Sequence, residues 1–481
     1  MPTFAPDKLA AWTGGSWSRL PDRALAGFTQ DTRQLGAGQV FVALKTDKRD
    51  GHDFLFEAQR SGASAALVSQ PNPNLQLSQL VVADPLAAFQ VIAREHRREF
   101  HGTVIGVSGS AGKTSTKDLL ALLLGGHSGS GVGPVSDRSM GQSQTGPTGD
   151  GSRVLATEGN LNNFIGVPLT LTKLDPATHN FAVVEAGINM PGEMAGLAEM
   201  IEPDHSVITL VAAAHLEKLG SLAGVAFEKS RLPAANRAGG LAVFPVSCWA
   251  YEPFRALANP LVLVPANEGM TKIAGRAVSF TVFHRPERTE VTLNGKHPFI
   301  LRRVSSGMAQ NAALALALAS ELGVADADLQ TRLGAWSPSK WRGELRTVGA
   351  AAVYCDFYNA NPASMADSID AFNGLVRAGL PRLYVLGSME ELGPDAPEYH
   401  RALGRTLHLQ RGDFLFTIGA QAAALREGML ENGNDPVQIA VITDLQPVRD
   451  RLASFTGAAF LKGSRRYQLE TILEPAAAHA H

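Results

Sequence analysis

Three features of this sequence predict an α/β architecture of two or three domains. The chain is 481 residues long, more than the roughly 100–200 expected of one domain, and 45% of it is apolar, enough to bury several cores. A short apolar run, a glycine-bearing turn and a helical pattern follow one another over residues 103–124. A second alternation of apolar runs with helical patterns fills the chain beyond Arg346, as in a parallel sheet covered on both faces.

Taken in order, the run Val40 to Leu44, the helical pattern Phe54 to Arg60 and the runs Ala65 to Val68 and Leu80 to Val82 predict a small α/β unit. The amphipathic stretch Pro85 to Phe100 closes it. Its many charges predict a partly solvated helix leading into the next domain. A strand over Thr103 to Val107 and a helix from Thr114 to about Leu124 open the central section. Between Gly125 and Ser152 the chain is rich in Gly and Ser and almost free of apolar residues, which predicts a mobile surface insertion. Strands are expected at Phe181 to Val184 and Val207 to Val211, with shorter β-like stretches around Leu241, Leu261, Val278 and Val291, then a helix from about Met308 to Leu322. In the third section strands at Ala351 to Tyr354, Leu383 to Leu386, Phe414 to Ile418 and Ile439 to Ile442 alternate with helices.

The 43 basic and 45 acidic side chains nearly cancel, so no broad field favours nucleic acid or an anionic membrane. Cys248 and Cys355 are the only cysteines, against a disulfide scaffold or a cysteine zinc site and in keeping with a reducing cytosol. The first residues lack a basic segment followed by an apolar one, and no stretch approaches the ~20 apolar residues needed to span a bilayer. A soluble, cytoplasmic protein without membrane insertion is expected.

The segment Ser108-Gly109-Ser110-Ala111-Gly112-Lys113-Thr114-Ser115-Thr116 is the strongest local signal. Glycines let backbone N–H groups and the following helix N-terminus cradle phosphate oxygens, Lys113 would reach the β- and γ-phosphates, and the Thr114 hydroxyl would ligate Mg²⁺. A strict phosphate loop has glycine five positions before Gly112, where this chain has Val107. The loop alone does not separate a ligase from a kinase or an ATPase. Glu185 follows the Phe181 to Val184 strand at the sheet edge where ligands bind, and could give Mg²⁺ a hard oxygen, although alone it could equally be a solvated loop glutamate. A single histidine such as His215 is more often structural than a ligand, and Lys229 by itself reads as a surface lysine.

In company these residues resemble the Mur ligase family over most of the chain. The segments that carry the likeness are Asp31-Thr32-Arg33, Gly38 to Lys45, Asp50 to Phe54, Gly159 to Pro168, Glu185 to Glu193, Ala213 to Glu217, Gln310 to Ala313, Asp356 to Met365, Leu386 to Gly393 and Lys462 to Arg465. The resemblance implies three domains: residues 1–100 binding a UDP-sugar-peptide, a central P-loop mononucleotide-binding domain over 101–335, and a Rossmann-like domain over 336–481. Thr32, Arg33 and Lys45 would contact the uridine diphosphate, a role that suits a hydroxyl, a guanidinium and an ammonium. Residues 108–115, Asn311, Arg342 and Asp356 would contact ATP. Thr114, Glu185 and His215 would hold Mg²⁺, and Lys229 falls where the family carries a carbamylated lysine. Lys113, His215, Lys229 and Asp356 would form the catalytic set. Asn160, Asn162, Asn163, Asn359 and Asn361 would face the peptide substrates. Gly307 and Met308 stand where the family has histidine and asparagine, Thr46 where it has glycine, and the usual glycine-arginine pair appears in altered order around Arg342.

The implied activity is ATP-dependent joining of D-alanyl-D-alanine to UDP-N-acetylmuramoyl-tripeptide by a monomer, with small-molecule partners only. Two alternatives share many of these residues. One is a sister ligase that adds a single amino acid to a shorter UDP-peptide, against which the Asn160 to Pro168 segment weighs. The other is a regulatory homologue that has lost turnover.

Overall fold

The structure, a computed structural model, describes residues 2–126, 153–268, 273 and 275–473. Most of the expected insertion over 125–152 lies outside the described residues.

Three sheets organise the chain. The first has the strand order Ser16–Trp17, Ser78–Val81, Ala65–Val68, Val40–Val42, Phe28–Thr29, all parallel except the Ser16–Trp17 edge. Phe4, Leu9, Val40, Val42, Leu67 and Leu80 fill one of its faces. The helix Pro85–Arg98 is capped by Asp84, whose side chain accepts from the N–H groups of Leu86 and Ala87. Its Ala88, Phe89 and Ile92 join this first core, while Ala93 joins the next.

That helix is partly solvated, as its charges predict, but two of its basic side chains lie on the buried face. Arg97 and His96 are buried, and the Arg97 guanidinium donates to the carbonyls of Ile201 and Glu202 at 3.0 and 2.8 Å and to Asp204 Oδ2 at 2.8 Å. Burial lowers its pKa to about 10, with the Asp204 charge opposing. A long stem with a forked head can satisfy several carbonyls inside a protein, so charge alone did not place it at the surface.

The central sheet has nine strands in the order Pro298–Arg302, Arg288–Leu293, Arg276–His284, Pro260–Pro265, Ala242–Pro245, His205–Ile208, Thr103–Ser108, Phe181–Glu185, Val154–Ala156. The strands from Val154–Ala156 to Arg276–His284 run parallel; the last two are antiparallel. Alternation decides the layers. Ile105, Val107, Val183 and Val207 pack under the helices Lys113–Leu123 and Ser306–Glu321. Val104, Ala182, Val184 and Ile208 pack under Glu193–Ile201 and Leu222–Ala234 on the other face. The strand expected over Val207 to Val211 instead spans His205–Ile208. Beyond Ile208 the backbone leaves the ladder to brace the phosphate loop: Ser110 N–H donates to the Leu210 carbonyl at 2.9 Å, and the Thr209 hydroxyl donates to the Ala111 carbonyl at 2.5 Å.

The third sheet has the order Glu344–Val348, Ala351–Cys355, Ala458–Lys462, Arg382–Gly387, Phe414–Ile418, Ile439–Ile442, parallel except for its first strand. The sequence reading passed over Ala458–Lys462, a strand of five buried residues that sits between two strands it did anticipate. Such a short apolar run does not distinguish strand from buried helix by periodicity. Among the described residues no helix is long and apolar enough to cross a membrane.

Candidate functional site

The C-terminal ends of the central strands and of the third sheet face a common cleft of about 1220 Å³, lined among others by Ser110 to Ser115, Asn162, Glu185, Asn311, Arg342 and Asp356. Ligands of open α/β sheets bind at this edge.

The phosphate loop joins the strand Thr103–Ser108 to the helix Lys113–Leu123. Two glycines fix its shape. Gly109 has φ +148°, and a Cβ there would lie 1.8 Å from Thr209 Oγ1. Gly112 has φ +77°, and a Cβ there would lie 2.2 Å from Asn311 Nδ2. Only glycine leaves room for Thr209 and Asn311 to press on the loop. Asn311 is thereby placed at the start of the helix, and its Oδ1 is buried without a partner. The loop is braced by its neighbours: Ser110 Oγ donates to the Ala212 carbonyl at 3.0 Å, and Asn361 Nδ2, from the third domain, donates to the Ser110 carbonyl at 3.1 Å.

Lys113 Nζ donates to the Gly109 carbonyl at 3.1 Å. Burial lowers its pKa, the Glu185 charge opposes this, and the Arg342 charge adds to it. Arg342 itself stacks on Tyr358, its guanidinium carbon 3.9 Å from the ring centre. Ser108, expected to touch nucleotide, is fully buried and donates its hydroxyl to the Ala186 carbonyl at 2.8 Å, so its side chain is turned into the protein.

Glu185 ends its strand almost fully buried. Oε1 accepts from Asn162 Nδ2 at 2.7 Å, while Oε2 is buried without a partner. An orphaned carboxylate oxygen on the same cleft as the Thr114 hydroxyl suits a hard cation that takes its remaining ligands from phosphate and water. The described residues include no group of three or more His, Cys, Asp or Glu that could hold a metal by themselves. His215 also lines the cleft, with φ +56° and its Nδ1 paired to Glu391 Oε2 of the third domain at 2.5 Å. This pairing pulls the Glu391 pKa down.

Lys229 is not the surface lysine its isolated sequence suggests: it is 1% exposed on the helix Leu222–Ala234. Burial first, and the neighbouring Lys113 charge second, hold its pKa well below 10.5. Beside it, Glu228 Oε1 accepts the Gly192 N–H at 2.8 Å.

Asp356 follows the strand Ala351–Cys355, where its Oδ2 accepts from Lys462 Nζ at 2.6 Å and meets the Ser368 hydroxyl. Asn359 Oδ1 accepts the Ala360 N–H at 2.9 Å. Asn361, expected to face substrate, caps the helix Pro362–Leu375 through a reciprocal pair with Ser364 in addition to its bond to Ser110. Asn160 and Asn163 line the cleft, and Asn163 Oδ1 accepts the Gly166 N–H at 2.9 Å.

Thr32, Arg33 and Lys45 are not among the residues that line this cleft. The buried Thr32 hydroxyl donates to Glu57 Oε1 at 2.8 Å, Arg33 forks onto Asp31 at 2.8 and 2.7 Å, and Lys45 lies 3.5 Å from Asp50. Sequence reasoning gave no role to Lys462, Ser368 or Tyr358. Lys462 and Tyr358 lie in segments that carry the family likeness, and Lys462 also ends the apolar run Ala458 to Leu461.

Residues 107–319 match the family model of the Mur ligase middle domain, and residues 341–458 that of the Mur ligase, glutamate ligase domain. The chain is 30% identical over 461 residues to the UDP-N-acetylmuramoyl-tripeptide--D-alanyl-D-alanine ligase of Bacillus subtilis, covering 93% of this chain and 92% of that one. A crystal structure of MurF from Acinetobacter baumannii superposes with a TM-score of 0.80 at 25% identity, covering 98% of both chains. The MurF ligase of Thermotoga maritima in complex with ADP gives 0.74 at 25% identity, covering 93% of this chain and 96% of that one.

Proposed function

The chain belongs to the Mur ligase family, and from that premise we propose that it joins D-alanyl-D-alanine to UDP-N-acetylmuramoyl-tripeptide at the expense of ATP. The observation that carries this reading is the single cleft in which Lys113, Glu185, Arg342 and Asp356 meet although they come from different domains.

A carboxylate is a poor acylating agent at neutral pH. In the proposed reaction a carboxylate oxygen of the tripeptide attacks the γ-phosphorus of ATP, forming an acyl phosphate and releasing ADP. The amine of D-alanyl-D-alanine then attacks the acyl carbon, phosphate leaves with the bonding pair, and the amine loses a proton. The chain's part is to orient three substrates and to neutralise charge. Gly109 to Ser115 cradle the phosphates through backbone N–H groups, while Lys113 and Arg342 place positive charge on the same region. Thr114 and Glu185 would hold Mg²⁺, with His215 beside them, and a bound Mg²⁺ would offset the charge of the β- and γ-phosphates. Asn162 keeps the Glu185 carboxylate in one orientation. Asp356 and Asn311 face the nucleotide, and Asn160, Asn163 and Asn359 the peptide substrates. Thr32, Arg33 and Lys45 take the uridine diphosphate after exchanging their internal partners for phosphate oxygens.

Lys229 completes the site as a carbamate. Burial works against the Lys229 ammonium, and the neutral amine is the form that adds CO₂; it releases a proton and leaves a carbamate anion beside Lys113. Cytoplasmic residence and a monomeric state are part of the same proposal.

The test is to incubate the protein with ATP, Mg²⁺, UDP-N-acetylmuramoyl-tripeptide and D-alanyl-D-alanine and to identify the product by mass. One new amide and one ADP per turnover are expected. Phosphate release that responds to alanine, lysine or diaminopimelate but not to D-alanyl-D-alanine would replace this reading with that of a sister ligase.

A further inference from the structure

Lys462 and Ser368 impose one orientation on the Asp356 carboxylate. Lys462 ends the strand Ala458–Lys462, and Asp356 directly follows its parallel neighbour Ala351–Cys355. The Lys462 side chain is 2% exposed, yet it borders the cleft. Its ammonium donates to Asp356 Oδ2 at 2.6 Å, to the Asp356 carbonyl at 3.2 Å and to the Asn359 carbonyl at 3.4 Å. These acceptors match the donor number of an ammonium. Ser368, from the helix Pro362–Leu375, brings a hydroxyl to the same Oδ2.

Two consequences follow. Oδ2 is committed, while Asp356 Oδ1 has no hydrogen-bond partner among the described residues and remains the oxygen that can accept from a ligand. The whole turn from Asp356 to Asn361 is also tied down, and Asn361 Nδ2 carries that order to the Ser110 carbonyl of the phosphate loop. A buried ammonium is costly unless it is paired, and a connector that only had to be stable could be built from apolar side chains.

We propose that Lys462, with Ser368 in support, is a positioning residue for nucleotide binding, holding Asp356 Oδ1 toward the nucleotide and the turn 356–361 against the phosphate loop. This rests on the reading that the cleft binds ATP.

The test compares the wild type with Lys462→Met, Lys462→Arg and Ser368→Ala in the full chain. Binding of ADP with Mg²⁺ and of UDP-N-acetylmuramoyl-tripeptide is measured by calorimetry, alongside KM for each substrate. Losing a charge-assisted bond to Asp356 should weaken ADP binding and raise KM for ATP by roughly ten-fold or more in Lys462→Met. UDP-peptide affinity should stay at the wild-type level, Lys462→Arg should recover part of the loss, and Ser368→Ala should show a smaller loss of the same kind. Unchanged ADP affinity in Lys462→Met overturns the proposal, as does parallel loss of both ligands together with thermal stability. If Lys462→Met does not fold, Ser368→Ala decides: wild-type ADP affinity in that variant overturns the proposal. Failure of the wild type itself to bind ADP would instead remove the functional reading on which the proposal rests.

Discussion

Replacing Gly109 with alanine should weaken nucleotide binding far more than it weakens the fold. At φ +148° the residue occupies backbone space that is essentially reserved for glycine, and a non-glycine residue held there costs about 1–3 kcal/mol. The new Cβ would start 1.8 Å from Thr209 Oγ1, a position that real atoms do not share, so the Thr209 side chain must swing away. Its hydroxyl then gives up the bond to the Ala111 carbonyl, a loss of about 0.5–1.5 kcal/mol. The two effects together come to about 1.5–4.5 kcal/mol. The loop can relieve most of this by moving, because the flanking strand and helix are anchored by their own cores. In the relaxed state its amides no longer converge, and restoring the convergence on binding costs the same free energy. ADP affinity measured calorimetrically with Mg²⁺ should therefore fall by roughly ten-fold to a thousand-fold or more, with only a small change in the melting temperature of the ligand-free protein. An affinity within about threefold of wild type would refute the argument that the close approach of Thr209 to Gly109 sets the shape of the loop.

Lys113→Ala should lower kcat for ADP formation by about 10²–10³ in a coupled assay with all substrates present, since it removes a cation next to the transferred phosphoryl group. Arg97→Met removes a fully buried guanidinium that bridges the helix Pro85–Arg98 to the Ile201 to Asp204 corner; urea denaturation should show a loss of about 3–5 kcal/mol. His400 is buried, its Nδ1–H donating to the Ala396 carbonyl and its Nε2 accepting the Met389 N–H, so it must stay neutral; burial holds its pKa below the ordinary 6.5. The unfolded chain then binds the extra proton first. Stability contributed by this group is complete above about pH 6.5 and declines as the pH falls toward the lowered native value, and His400→Asn should flatten that part of a series of urea midpoints taken from about pH 8 to about pH 5.

The phosphate loop was legible because it is local. Strand, glycine turn and helix lie within Thr103 to Leu123, and the residue types that hold phosphate are those that appear in the motif. The strands at Phe181, Leu383 and Phe414 were legible for a similar reason, since compact apolar runs between polar turns have few other uses. Ala458–Lys462 escaped because five residues carry too little periodicity, and its central place depends on pairing with strands more than seventy residues earlier, Arg382–Gly387 and Ala351–Cys355. Ser108 shows the limit of motif reading. It stands inside a recognisable segment, yet its side chain turns into the core, whereas Asn361 lines the cleft while also capping a helix and bonding Ser110.

The sequence by itself determined the fold class and the phosphate loop, because these follow from residue type at short range, whereas most other polar residues of the site were marked only by the family resemblance. Tertiary structure alone decided which of them converge. Lys229 reads as a surface charge and is buried, and Arg97 is buried within a partly solvated helix, since desolvation is offset only by partners distant in the chain or by loss of the charge itself. Thr209 and Asn311 take their places through the two glycines they press against, and the pairing of Asp356 with Lys462 exists only because two parallel strands end side by side.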